Sequence, residues 1–380
     1  MSKRPQDTAF RQQRQAAWKP MLTPINIVSC FTAVAAACLA AGTALALRSD
    51  GVVQAKVQYD GRGSSKAYND CAVGNFGEHQ TCRLKVTAPK RMDAPIFVYY
   101  ELSAFFQNHR RYANSINHDQ IMGVEKDKDE ISSCEPLKFN GSLVLSPCGL
   151  RANSLFDDVF SLPPSSRFEL EASGMTHAKA NKLRFKQPST FDFKVVADAN
   201  CTAKERCDDE VCSEHAIKAP CFGYTCVGGD FDGQKCAAGD QALFYYPKAD
   251  QMQYLHQTYP AIVSPLVGVE SERFQVWMEN AALPNFRKPY ARLRFIDGPQ
   301  HVRKGETLEF EVDARFWVSG FGGRKWLVLA QADRQATANG FLGAAFITTA
   351  AVCAGLAVFF AWLASHEQRK LADLSLLRKE

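Results

Sequence analysis

The chain has 380 residues, 46% of them hydrophobic and 22% charged, which excludes a disordered protein and fits one larger folded domain with added segments. Its 45 Lys and Arg against 40 Asp and Glu leave a formal charge of +5. That near balance gives no overall basic field of the kind nucleic-acid binding uses, so no nucleic acid is expected among its partners.

In chain order, residues 1–24 form a polar tail carrying Lys3, Arg4, Arg11, Arg14 and Lys19. Residues 25–47 then contain no Asp, Glu, Lys or Arg. A helix of about 20 apolar residues spans the hydrocarbon core with its backbone hydrogen bonds kept internal, so a first transmembrane helix is expected here. A signal peptide is the alternative, but its apolar core is about 7 to 15 residues and follows a short charged start. A second apolar stretch covers 338–364, and Arg369, Lys370, Arg378 and Lys379 follow it in the tail 365–380. Basic flanks stay cytosolic, so both termini are expected in the cytosol and residues 48–337 on the exoplasmic side. Trp18 and Trp362 then mark one interface. Neither stretch holds an intramembrane charge that could line an ion path. Both are rich in small residues, Gly343 and Ala344 among them, which let a neighbouring helix approach closely.

Within 48–337, aromatic and β-branched runs recur at 96–100, 167–172, 191–196, 273–278 and 308–318, several alternating as half-buried strands do. An antiparallel β-sandwich with short helices is expected, one of them at 150–160, where Leu155, Phe156, Val159 and Phe160 share a helical face. Residues 200–240 are poor in aliphatics and hold Cys201, Cys207, Cys212, Cys221, Cys226 and Cys236, which suggests an insertion ordered by disulfides. With Cys71, Cys82, Cys134 and Cys148 these make an even set of ten outside the spans. No C-x-x-C pair occurs, so disulfides are expected and a zinc site is not. The run Asp230, Phe231, Asp232, Gly233 lacks the rest of a calcium-loop series and is expected to be a turn. Asn140 and Asn200 head Asn-x-Ser/Thr sequons and are candidate glycosylation sites.

Phosphate-loop, dinucleotide, zinc-protease and nucleophile-elbow motifs are all missing, as is the DKTG string of an aspartyl-phosphate pump, so no catalysis and no cofactor are expected of this chain. Gln107, Asn108, His109, Arg110, Arg111 and Tyr112 form the most reactive-looking string. A polar structural loop explains them more simply than catalysis, since a catalytic His needs a positioned partner that sequence does not show.

Five strings raise a specific resemblance: RPQDTAFRQQR with AWKPMLTP (4–14 and 17–24), YYELSAFFQNHRRYANS (99–115), CGLRANSLFDDVF (148–160), VWMENAALPNFRKPYARL (276–293) and NGFLGAAFI (339–347). In that order, around two spans, they resemble the cell division control protein 50 family, whose members are accessory β-subunits of type-IV P-type ATPases. The resemblance implies a heterodimer in which the ATPase uses ATP and Mg, provides the lipid path and moves membrane phospholipid. This chain would assist folding and export and form a lid over the pump's exoplasmic loops. It implies partner contacts at Arg4, Phe10, Arg11, Trp18, Asn108, His109, Arg110, Arg111, Tyr112, Phe286, Arg287, Gly343 and Ala344. It also implies bridges Cys71–Cys82 and Cys134–Cys148, with the six later cysteines pairing among themselves. Three departures are plain: animal members often carry four cysteines in the first cluster where only Cys71 and Cys82 stand here, many relatives have a Trp-Trp pair where Met175 and Thr176 stand, and the six-cysteine block 200–240 has no counterpart in the family. Two other functions fit the sequence, an exoplasmic receptor or adhesin using the cysteine block, and an exoplasmic hydrolase using His109.

Overall fold

The structure, a computed structural model, describes residues 7–12, 23–50, 53–61, 63, 71–176, 183–196, 222–226, 229–231, 234–331 and 340–366. It divides into two compact units, Val53–Asp333 and the two chain ends, Met1–Val52 with Arg334–Glu380.

The larger unit is built on eight strands: β1 (Val53–Gly61), β2 (Gln80–Thr87), β3 (Ile96–Ser103), β4 (Val159–Ser161), β5 (Phe168–Glu171), β6 (Phe286–Phe295), β7 (Thr307–Ala314) and β8 (Arg324–Gln331). Alternation is clearest in β3 and β7, whereas β1 and β8 each bury neighbouring residues. In β3, Ile96, Val98, Tyr100 and Leu102 are buried and the residues between them are not. One antiparallel sheet runs β1-β8-β3-β6-β5 and a second β2-β7-β4, and their inward rows share one core. Gln331 pairs with Val53 and with Ile96, so the chain enters and leaves this unit at one end of the larger sheet. At the other end Ser103 pairs with Arg324 and Leu102 with Phe286, and the loops 104–109, 279–285 and 319–323 emerge there.

An ionic cluster lies inside the sandwich. Lys325 donates to Asp158 at 2.9 Å, to Asp60 at 3.1 Å and to the Phe316 carbonyl at 2.7 Å. Asp158 also accepts the Tyr59 hydroxyl at 2.6 Å and the Arg315 and Phe316 N–H groups at 2.6 and 2.7 Å. Cys71–Cys82 closes the segment before β2 at a Cα separation of 5.2 Å.

A second core gathers Ile131, Val144, Leu145, Phe244, Met252 and Leu266 around the bridges Cys134–Cys148 and Cys226–Cys236. The first two bridges are the pairs the resemblance implies, and the third lies within the later block, which agrees with pairing among the late cysteines. Asn200, Cys201, Cys207, Cys212 and Cys221 lie outside the described residues. The described part of 200–240 is held by more than disulfides. Phe222–Thr225 pairs with Gln241–Tyr245, which pairs with Asp192–Val196, and Cys226 and Cys236 are buried. Gly229–Phe231 and Gln234–Cys236 form an antiparallel pair, and the two residues between them are not among those described.

Two expectations need correcting. The run at 273–278 is a helix, α3 (Glu272–Met278), not a strand; Phe274 to Met278 are all buried, so the side-chain pattern carries no period to read. The segment 150–160 is no helix but a single 3-10 turn, Ala152–Ser154, leading into β4. There the Asn153 amide donates to the Pro147 and Gly149 carbonyls, and Asp158 draws the chain straight by accepting from Arg315 and Phe316.

The smaller unit holds two helices long and apolar enough to span a bilayer, α1 (Pro24–Asp50) and α4 (Gly340–His366). They pack antiparallel. Phe31 stacks on Phe360 at 5.9 Å, and a Cβ added to Gly42 would meet Ile347 Cγ1 at 2.9 Å. The less exposed residues repeat in heptads, Phe31, Ala35, Cys38 and Gly42 on α1 and Ala350, Cys353, Ala357 and Phe360 on α4.

Candidate functional site

Three of the five family-like strings come together at the loop end of the sandwich. Gln107 is fully buried; its Oε1 accepts the Ala281 N–H at 2.9 Å and its Nε2 donates to the Trp277 carbonyl at 3.5 Å. Beside it Asn108 Nδ2 donates to the Ala282 carbonyl at 2.9 Å, and the Phe105 N–H to the Pro284 carbonyl at 3.1 Å. Arg151 ties in the third string, donating to the Met278 carbonyl at 2.6 Å and to the Ala113 carbonyl at 3.3 Å, while Trp277 Nε1 donates to the Arg151 carbonyl at 3.0 Å. Gly149 has φ +99°, and a Cβ there would stand 2.2 Å from the Ser115 carbonyl oxygen, so only glycine lets these two strings approach.

Lys288 anchors the far side. Its Nζ donates to the carbonyls of Val276, Trp277 and Glu279 at 2.9, 2.7 and 2.6 Å, capping the C-terminal end of α3. Burial pushes its pKa down to about 7, and the nearby Glu279 carboxylate opposes that shift. The ring faces of Trp277 and Phe286 lie 5.1 and 5.5 Å from the same nitrogen. Phe105 fills the space between, with ring centroids 5.4 Å from Trp277, 5.8 Å from Phe316 and 5.6 Å from Phe321. The loops are therefore fixed to one another by buried polar groups and aromatic packing.

Their outer surface is different in kind. Phe106, Leu283 and Phe321 are 56%, 67% and 37% exposed. Arg110 and Arg111, on α2 (Arg110–Asn114), are exposed and line a groove of about 640 Å³ with Asn114, Ser133, Glu135 and Pro136.

Of the expected contact residues, His109, Arg110 and Arg111 face outward here, and no described residue pairs with the His109 ring. Asn108 is exposed but tied to Ala282, and the Tyr112 hydroxyl lies 2.9 Å from Ser154 Oγ. Phe286 is buried against Phe105 and Trp277, so its side chain serves the core and not an outer contact. Arg287 reaches across the outer face of the sheet to Glu101 at 3.1 Å and Gln54 at 3.1 Å. Gly343 is packed inward, a Cβ there lying 3.1 Å from the Ala46 nitrogen, whereas Ala344 is exposed. Phe10 and Arg11 are exposed in a short turn closed by Gln12 N–H to the Thr8 carbonyl, and Arg4 and Trp18 lie outside the described residues. Asn140 is exposed before the Gly141 turn, with its amide 2.7 Å from Gln253 Oε1. Lys288, Lys325 and Arg151 escaped the sequence reading. The first two stand at inward positions of alternating strands, between Phe286 and Tyr290 and before Leu327 and Leu329, and that parity was the signal to follow.

A disulfide-stitched β-sandwich inserted in the chain between two apolar, mutually packed helices defines a helix-anchored, two-pass architecture. The profile of the LEM3 (ligand-effect modulator 3) family / CDC50 family matches residues 45–370, and the chain belongs to that family. It is 28% identical over 379 residues to "ALA-interacting subunit 3" of Arabidopsis thaliana, covering 99% of this chain and 90% of that protein. It is 26% identical to human "Cell cycle control protein 50B" over 92% of this chain and 90% of the relative. To "Phospholipid-transporting ATPase accessory subunit CDC50" of Chaetomium thermophilum it is 27% identical, over 98% of this chain and 90% of the relative.

Proposed function

We propose that this chain is the non-catalytic accessory β-subunit of a type-IV P-type ATPase, needed for the folding, export and activity of a pump that moves phospholipid from the exoplasmic to the cytosolic leaflet. The observation that carries the reading is the family match over 45–370, with relatives aligned along nearly their whole length, one of them named as an accessory subunit of a phospholipid-transporting ATPase. In this reading the ATPase forms a heterodimer with the chain, uses ATP and Mg, and contains the lipid route. The chain itself holds no cofactor. Both basic tails lie in the cytosol, the sandwich lies on the exoplasmic side, and Asn140, Asn200 or both carry a glycan. The pinned loops support this role, because a recognition surface held rigid loses less entropy on binding than one that must order.

The test is uptake of labelled lipid by vesicles holding the ATPase alone, this chain alone, or both. ATP-dependent uptake is expected only with both. Full transport by a normally exported ATPase without this chain would overturn the reading.

A further inference from the structure

We propose that two basic turns, at the end of the sandwich where the chain enters and leaves it, form a membrane-facing surface that takes the phosphate groups of lipid headgroups and seats Ile296 among them. This surface needs only the two spans and holds whether or not the chain serves an ATPase.

Chain length selects this end. Val53 opens β1 three residues after α1 ends at Asp50, and Gln331 closes β8 nine residues before α4 begins at Gly340. An extended chain covers at most about 3.5 Å per residue, so Val53 is tethered within about 10 Å of the end of an apolar helix. Ile96 pairs with Gln331 and with Leu293, which brings the turns before β3 and after β6 to the same end. Two of those turns are basic. Residues 88–91 carry Lys90 and Arg91, residues 303–306 carry Arg303 and Lys304, and all four side chains are exposed. Backbone bonds lock the turns side by side, Gly305 N–H donating to the Ala88 carbonyl at 2.8 Å and Ala88 N–H to the Glu306 carbonyl at 2.9 Å. The acidic groups nearby are already engaged. Asp93 holds Arg91 at 2.8 Å, Glu306 holds Arg167 at 2.7 Å and accepts the Arg303 N–H at 2.8 Å, and Asp297 accepts the Gly298 N–H at 2.7 Å.

Ile296, directly after β6, is 62% exposed. Its N–H donates to the Arg167 carbonyl at 3.0 Å, and the Arg167 guanidinium donates to the Pro299 and His301 carbonyls, each at 3.0 Å, so the loop that presents it is fixed before anything binds. Lys and Arg meet lipid phosphate at a bilayer surface, while an apolar side chain beside them reaches toward the acyl boundary. A soluble anion would account for the four cations and leave Ile296 in water. The far end of β3 is the natural contrast, since Ser103 stands seven residues beyond Ile96, about 24 Å away at the rise of a strand.

The test uses the full chain in vesicles of about four parts phosphatidylcholine to one of phosphatidylserine, both radiolabelled. A photoreactive benzoylphenylalanine replaces Ile296 or, at the opposite end, Phe106. Irradiation is expected to link position 296 to phospholipid about tenfold more than position 106. High salt, which screens exposed charges, is expected to lower the yield at 296 about threefold. The triple change Lys90→Glu, Arg303→Glu and Lys304→Glu should lower it about fivefold at an unchanged melting temperature, with Lys90→Gln, Arg303→Gln and Lys304→Gln falling between. Equal links from the two positions, links from 296 only to a second copy of the chain, or a yield that neither salt nor charge reversal moves would overturn the proposal. The vesicles hold no ATPase, so this outcome is separate from the lipid-uptake test of the accessory role.

Discussion

Lys325 and Asp158 meet at 2.9 Å inside the sandwich with neither side chain reached by solvent. Removing one member of such a pair strands the other, at a cost of about 3 to 5 kcal/mol. Asp158→Ala also strips acceptors from Tyr59, Arg315 and Phe316. It is expected to lower the melting temperature of the purified protein more than Lys56→Ala, which removes a half-exposed partner of Glu101. Equal losses from the two variants would contradict the ranking.

The neighbouring Asp157 gives a pH test. Burial, and next the charge of Asp158, push its carboxyl up to about 7. The native chain thus keeps a proton that the unfolded chain loses above 3.8, so this contribution is full below 3.8 and is lost as pH rises through about 7. Asp157→Asn should therefore stabilise by on the order of 1 to 2 kcal/mol near pH 8 and by less near pH 5.

His256 has the opposite sign. Burial pushes its imidazole down to about 4, its Nδ1 is buried without a partner among the described residues, and its ring stacks on Tyr246 at 4.7 Å. Its contribution is present above 6.5 and lost as pH falls through about 4. His256→Phe is expected to flatten the acid side of the melting profile; an unchanged acid limb would count against this assignment.

The helix seam offers a chemical test. Phe31 against Phe360 and Gly42 against Ile347 fix an antiparallel register that places Cys38 level with Cys353 on facing heptad positions. Copper-phenanthroline oxidation in membranes is expected to join them, so that fragments cut between the two helices stay together until reduced. Cys38→Ser should abolish the link. Its persistence in that variant, or its absence in the unaltered chain, would mean a different register.

Much of this architecture was legible because alternation is a strong signal. In β3 and β7 every second residue is apolar and buried, and 25–47 lacks charge altogether. Helix α3 was not legible, since a run buried on all sides looks alike in helix and strand. The string from Gln107 to Tyr112 marked the right loop, but its division of labour was hidden. Gln107 turns inward to Ala281, 174 residues later, while Arg110 faces out. A pairing over that distance is set by the sheet register of β3 with β6, which no local pattern encodes.

That inward side of the site yields the last expectation. Gln107 and Lys288 both donate to the Trp277 carbonyl, at 3.5 and 2.7 Å, and between them they hold the ends of the 279–285 loop. Gln107→Leu leaves the Ala281 N–H without its acceptor, and Lys288→Met leaves the Val276 and Glu279 carbonyls without their donor. Each is expected to cost about 1 to 3 kcal/mol of stability, because a stranded buried polar group bears its full desolvation penalty. Since either donor alone still satisfies the Trp277 carbonyl, only the double variant strands it, and its cost should exceed the sum of the singles by about 0.5 kcal/mol or more. Both should also loosen Leu283, measurable as faster amide exchange over 279–285 with exchange in β3 unaffected at the same temperature. Strict additivity with unaltered exchange in that loop would show that the two side chains act independently and that the loop is held by other contacts.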